Sequence, residues 1–255
     1  MSKHDTTRIS LGGATLELLS GGSGRPLLFL HGEEGPRGWQ AHHTALAASF
    51  QVHAPVMPGV GASTRPDWLE SVPSLAKHYL WALDELKLGP VVLAGASLGG
   101  WVAAELATMA PERVSHLVLI GSQGIKTGHL NVPDLFTTPY RRYLKLASPT
   151  AEHLWTGEPT EADLDIDLET LEMSARLGFK PYMHDRLLLP ALARYRNPAL
   201  LLWGARDPIT PAVIADQFKA ALPRALLTLL PDTGHYVHLE RPDAVATYIA
   251  AFAKG

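Results

Sequence analysis

The chain of 255 residues contains no cysteine. This excludes disulfide staples, thiolate metal ligands and a cysteine nucleophile, and it suits a reducing compartment. Long apolar runs are also missing: none approaches the roughly 20 residues that cross a bilayer. The first ten residues, Met1 to Ser10, are polar and lack the apolar stretch of a secretory signal. No dense Lys/Arg run is present, and the formal net charge is only -3, so nothing marks a polyanion-binding surface. There is no internal repeat and no low-complexity tract. These absences lead us to expect a cytoplasmic globular protein, monomer or homodimer, that works on a small molecule and has no nucleic-acid or membrane partner.

Apolar residues make up 46% of the chain and charged residues 18%, a composition that forms a core. The length suits one large α/β domain, which commonly runs to about 200–250 residues. Short apolar runs recur at Leu27–Leu30, Val52–Val56, Val91–Ala94, Leu117–Ile120, Leu200–Trp203 and Leu226–Leu230. Continuous apolar runs of this length predict buried strands of a sheet covered on both faces. Ala- and Leu-rich stretches alternate with them: Trp39–Ser49, Leu75–Leu86, Leu98–Met109, Ala212–Ala221 and Ala244–Phe252. Pro73, Pro211 and Pro242 lie near three of their starts, where a missing N–H is harmless. Alternation of strand and helix predicts a mostly parallel α/β sheet. Ahead of it, Gly12-Gly13 within Arg8–Leu19 predicts an antiparallel hairpin.

The rhythm breaks between about residues 123 and 194, where charge and aromatics rise, no strand-like run appears and Asp163–Leu177 reads as an amphipathic helix. We expect a helical cap over 123–194, inserted into a core formed by 1–122 and 195–255. A long structureless loop is the alternative, and such loops are rare in compact domains.

Val91 to Gly100 reads VVLAGASLGG, so Gly95-x-Ser97-x-Gly99 follows a strand and opens a helix. A serine at such a turn takes a strained conformation that lifts its hydroxyl out of the sheet edge. The helix N-terminus then aims partial positive charge at the same point. The N–H of Leu98 is one expected oxyanion donor. A second is needed, since losing one donor typically costs about 2.7–4 kcal/mol. The segment LLFLHGEEG, Leu27 to Gly35, ends a strand at His31-Gly32, and the N–H of Glu33 is the candidate. His31 is expected to brace this loop. A Glu33 carboxylate beside the hole would oppose developing negative charge, so the simplest expectation turns both Glu33 and Glu34 to solvent. The sharper one has either lining the pocket and favouring cationic or hydrogen-bond-donating substrates.

Asp207 follows the Trp203-Gly204 turn at a strand end, and His235 lies in the loop PDTGHYVHLE before the last helix. The order Ser, Asp, His is that of this triad type. His235 would take the Ser97 proton, in a rate profile rising through a pKa near 6.5 before perturbation, and Asp207 would fix the imidazole tautomer. Asp232 is the rival acid, more simply a loop carboxylate held by local N–H groups. His238 is expected to pack near the last helix, and Trp101 to face the core.

The chain resembles the α/β-hydrolase superfamily, and within it the capped esterase, epoxide-hydrolase and meta-cleavage-product-hydrolase branch. The resemblance rests on five landmarks in order: LHG at 30–32, PGVGAS at 58–63, GASLGG at 95–100, WGARD at 203–207 and GHYVHLERP at 234–242. It implies an α/β-hydrolase fold, a twisted sheet of about eight strands with the cap over the active site, and acyl transfer to water with neither cofactor nor metal. Two positions depart from the pattern: Val56 replaces an Asp that relatives often carry, and Glu33 replaces a small or apolar residue. An elbow serine argues against haloalkane dehalogenases and epoxide hydrolases, which place Asp there.

The resemblance leaves a carboxylesterase for small to medium esters as the first expectation. The cap residues Phe136, Tyr140, Trp155, Tyr182, Met183 and His184 are its candidate pocket wall. A carbon–carbon hydrolase of vinylogous diketones is the second; it needs a cation such as Arg186, Lys180 or Arg142 to hold a carboxylate. A non-catalytic receptor or scaffold is the third.

Overall fold

In the computed structural model, residues 4–127 and 130–254 are described. Residues 1–3 of the polar N-terminal segment, 128–129 of the expected insertion and 255 lie outside it. Eight strands form one sheet: β1 (His4–Leu11), β2 (Ala14–Gly22), β3 (Arg25–Leu30), β4 (Phe50–Pro55), β5 (Val91–Ala96), β6 (Val114–Ile120), β7 (Ala199–Gly204) and β8 (Ala225–Leu230). Their order is β1-β2-β4-β3-β5-β6-β7-β8. β1–β2 and β2–β4 pair antiparallel, and the remaining pairs are parallel. The helices are α1 (Ala41–Ala47), α2 (Val72–Glu85), α3 (Leu98–Met109), α4 (Tyr140–Ala147), α5 (Glu161–Gly178), α6 (Leu188–Leu192), α7 (Ala212–Ala221), α8 (Val237–Glu240) and α9 (Pro242–Phe252).

The unbroken apolar runs are explained by two cores. Leu28, Leu30, Leu93, Leu117, Leu119 and Leu201 point to the face covered by α2, α3 and α7. Their neighbours Leu27, Phe29, Val92, Ala94, Val118 and Leu202 point to the face covered by α1 and α9. Alternate side chains of a strand leave on opposite faces, so a sheet covered on both sides needs apolar residues at every position. The last strand departs from this expectation. β8 is a sheet edge, and Leu226 and Leu229 are exposed there.

Helix starts follow local chemistry. Ser71 caps α2 by accepting from the Ser74 N–H at 3.3 Å, and Pro73 sits just inside the first turn. α1 begins two residues later than expected, at Ala41, because Gln40 takes the capping position with extended backbone. Thr160 and Asp163 cap each other at the start of α5.

Between β6 and β7 the chain carries α4, α5 and α6, and among the described residues of this span no strand is formed. α5 is tied to the loop after β3 by the Arg37–Asp167 ion pair, and Asp167 also accepts from Arg141 Nε at 2.9 Å. Glu169 accepts the Gly61 N–H at 2.8 Å. The segment therefore lies across the carboxyl ends of the central strands, where ligands bind in open α/β sheets.

Candidate active site

Ser97 sits between β5 and α3 with φ 48° and ψ -116°, a conformation that costs a non-glycine residue about 1–3 kcal/mol. The surroundings over-determine it. Its N–H donates to the Ile120 carbonyl at 2.9 Å, and its carbonyl accepts from Gln123 and Trp101 at 3.0 and 3.1 Å. A side chain at Gly95 would overlap the Gly99 carbonyl, and one at Gly99 would overlap the Leu30 carbonyl, so the turn closes only with glycine at both.

Asp207 and His235 come from loops after β7 and β8 and meet Ser97 above the sheet edge. His235 Nε2 lies 2.6 Å from Ser97 Oγ, and His235 Nδ1 lies 2.8 Å from Asp207 Oδ2. Asp207 is held by four donors. Its Oδ1 accepts from the N–H groups of Ile209 and Thr210 at 2.8 and 2.9 Å, and its Oδ2 accepts from the Thr210 hydroxyl at 2.9 Å as well as from His235. The rival Asp232 is exposed and pairs with Arg206 instead. All three members of the chain are buried.

The acidic pair after His31-Gly32 does not turn to solvent. Glu33 and Glu34 are both buried, which overturns the simpler expectation for them. Glu33 Oε1 accepts from the Ser97 hydroxyl at 2.7 Å and from the phenols of Tyr143 and Tyr236, each at 3.2 Å. Its Oε2 accepts from the Leu98 N–H at 3.2 Å. It also lies 3.4 Å from His235 Nε2. The reason is the donor supply: four hydrogen-bond donors and an imidazole converge on its carboxylate. The Glu33 carbonyl also accepts from the Tyr140 hydroxyl of α4. Glu34 Oε1 accepts the Gly32 N–H at 3.0 Å and meets His238 Nε2 at 3.2 Å.

These contacts reset the protonation. Burial alone would raise the Glu33 pKa, but His235, the Ser97 hydroxyl and the Glu33 main-chain N–H pull it down to about 2. Burial alone would lower that of His235, yet the carboxylates of Asp207 and Glu33 outweigh it and raise it to about 10. An unperturbed value near 6.5, the starting point from sequence, does not apply. Both shifts favour an imidazolium at neutral pH, which would donate to Asp207 and Ser97 while the Ser97 hydroxyl donates to Glu33.

His31 braces the loop as expected, with Nδ1 2.9 Å from the Gly32 carbonyl and Nε2 accepting the Met57 N–H at 3.0 Å. Trp101 is in the core, its Nε1 donating to Glu105 at 3.1 Å. Among the expected wall residues, Tyr140 contacts the Glu33 loop. Trp155 lines a cavity of about 260 Å³ with Glu34, His31, Arg37, Arg141 and His238. Ser97, Glu33 and His235 do not line this cavity. Phe136 packs edge-on against Tyr182, whose hydroxyl accepts the Leu135 N–H. Met183 is buried beside Gly178 and Trp101, and His184 faces a second cavity with Asp185 and Gln217. Lys180, Arg186 and Arg142 are exposed. Sequence reasoning missed Tyr143, Tyr236 and Thr210. Tyr236 adjoins the predicted base and Tyr143 lies one helical turn beyond Tyr140, which is the signal that was there to read.

Among the described residues no group of three or more His, Asp or Glu is placed to hold a metal ion, and no helix is long and apolar enough to cross a membrane. The model of the alpha/beta hydrolase family matches residues 27–248. The chain is 32% identical, over 92% of its length, to the dihydrolipoyllysine-residue acetyltransferase component of the acetoin cleaving system of Pseudomonas putida, and it spans 65% of that relative. It is 30% identical to the pimeloyl-[acyl-carrier protein] methyl ester esterase of Nitrosomonas europaea, with 90% of this chain and 96% of that one covered. The 2-hydroxy-6-oxo-6-phenylhexa-2,4-dienoate hydrolase of Rhodococcus sp. strain RHA1 superposes with a TM-score of 0.80 at 23% identity over the whole of both chains, a likeness of fold. With most of its length inside the family match and an esterase among its relatives, this chain belongs to the alpha/beta hydrolase family.

Proposed function

We infer that the protein is a serine hydrolase, a carboxylic ester hydrolase acting on small to medium esters through an acyl-enzyme on Ser97. The observation that carries this reading is the continuous hydrogen-bonded line from Asp207 through His235 to Ser97 at a strained strand-to-helix turn. In its neutral form His235 takes the Ser97 proton as Oγ attacks the ester carbonyl, then gives it to the leaving alcohol. Asp207 keeps the proton on Nδ1 and stabilises the imidazolium. The N–H groups of Leu98 and Glu33 receive the oxyanion. Water repeats the sequence to release the acid. Residues 123–194 act as the cap that closes over this point, and the setting we infer is a cytoplasmic monomer or homodimer.

The carbon–carbon hydrolase reading loses support. Its substrate carries a carboxylate, but the three cations considered for holding it are exposed, and the group facing Ser97 is the carboxylate of Glu33. The test is steady-state hydrolysis of p-nitrophenyl butyrate by the wild-type protein and Ser97→Ala, with folding followed by circular dichroism. Loss of turnover in a folded variant is expected; retained turnover would end the reading.

A further inference from the structure

Of the two main-chain donors that an ester carbonyl needs, the Leu98 N–H is already occupied. Glu33 Oε2 takes the Leu98 N–H, the Glu33 main-chain N–H also favours the charged carboxylate, and Oε1 takes the Ser97 hydroxyl. One carboxylate oxygen in the hole and the other on the serine–histidine pair is the placement of an acid product of ester hydrolysis. The same carboxylate holds His235 as an imidazolium, which has no lone pair on Nε2 to accept a proton.

We propose that Glu33 is a built-in occupant of the oxyanion hole, and that its displacement by substrate is the step that opens the hole and frees His235 to act as base. This rests on Ser97 being the nucleophile. The step needs no outside acid or base. The Nε2 proton of His235 passes to Ser97 Oγ as the Ser97 hydroxyl proton passes to Glu33 Oε1, leaving a neutral imidazole and a neutral carboxylic acid. The neutral acid crosses the buried surroundings at far lower cost than a carboxylate would. Its departure frees the Leu98 N–H. Ser97 Oγ then bonds to the acyl carbon while its proton goes to Nε2.

The charged and titratable neighbours are consistent with this step. Tyr140 and Tyr143 reach Glu33 from α4 and Tyr236 from the loop before α8, and burial drives these phenols upward, so they stay neutral donors. Asp207 faces His235 from the loop after β7, and Glu34 neighbours Glu33 along the chain, paired with His238. Glu33 is thus the removable one of the two carboxylates on His235.

The experiment is the second-order rate of Ser97 labelling by an alkyl fluorophosphonate, read by intact mass between pH 6 and 10. Wild type, Glu33→Gln and Glu33→Ala are compared, each checked for folding by thermal melt. A nearby charge shifts a pKa by about 1–3 units. The rise of the rate with pH is therefore expected at least one unit lower in both variants than in wild type. Glu33→Ala is expected to label about tenfold or more faster at pH 7. Equal rates and equal midpoints in folded proteins would overturn the proposal while leaving the hydrolase reading intact. If no protein labels at any pH, the hydrolase reading falls and this proposal falls with it. Should both variants misfold, nuclear magnetic resonance titration of His235 in the wild-type protein decides: a ring still doubly protonated at pH 8 supports the proposal, and a neutral ring at pH 7 overturns it.

Discussion

Replacing Asp207 by Asn removes one charge and exchanges one acceptor for a donor, in a site with no spare acceptor. Asp207 receives two N–H groups on Oδ1 and a hydroxyl and an imidazole on Oδ2. If the new amide nitrogen sits at the Oδ1 position, the buried N–H groups of Ile209 and Thr210 lose their acceptor, at about 1–3 kcal/mol each. If it sits at the Oδ2 position, it can pair only with an unprotonated Nδ1, because the Thr210 hydroxyl rotates to suit but the ring cannot. The second arrangement costs folding less, so it should prevail. It moves the imidazole proton to Nε2, and Glu33, 3.4 Å from Nε2, favours the same tautomer. A base protonated on the atom that faces Ser97 cannot take the serine proton. The expected loss in kcat on p-nitrophenyl butyrate is about 10³–10⁴-fold, or about 4–5.5 kcal/mol of transition-state stabilisation, with the variant still folded. A folded Asp207→Asn protein that loses less than tenfold would refute the reasoning.

Glu33→Gln should raise kcat/KM for an ester with a carboxylate on its acyl chain relative to one with an ammonium group, since the repelling charge beside Ser97 is gone; identical selectivity in the two proteins would show that the carboxylate does not face the acyl group. Gly204→Ala should destabilise the fold by about 3 kcal/mol or more in urea unfolding, because a Cβ there would overlap the carbonyls of Gly234 and Thr233 beneath His235. An unchanged midpoint would mean that the loop relaxes. Burial pushes the Glu105 pKa up from 4.5 to about 7, against the hydrogen bond from Trp101. The folded state then holds a proton that the unfolded chain has lost, so stability falls as pH rises from about 4.5 to 7. Glu105→Gln keeps an acceptor for Trp101 and is expected to melt higher than wild type at pH 8.5 and no higher at pH 4; the same difference at both pH values would contradict the assignment.

The central sheet was legible because β3, β5, β6 and β7 carry runs of consecutive apolar residues close to glycine or proline. β8 misled for the same reason: five apolar residues in six describe an edge strand as well as a buried one, and only pairing tells them apart. Ser97, Asp207 and His235 were legible because each follows a strand and precedes a helix, a position that the chain order alone reveals. Glu33 was not. Its sequence neighbourhood argues for solvent, and the donors that hold it come from residues 97, 98, 143 and 236, which the linear pattern does not bring together. The pocket wall is harder to read from the sequence. Phe136 packs on Tyr182 and Phe179, and Met183 lies against Gly178 of α5; aromatic content does not reveal which way a side chain faces.

The most direct measurement of the central claim is an acid-quenched turnover of p-nitrophenyl butyrate, with the protein then mapped by mass spectrometry. A butyryl adduct on the peptide carrying Ser97, formed together with a nitrophenol burst, is expected. Steady hydrolysis with no adduct, matched by Ser97→Ala, would contradict it.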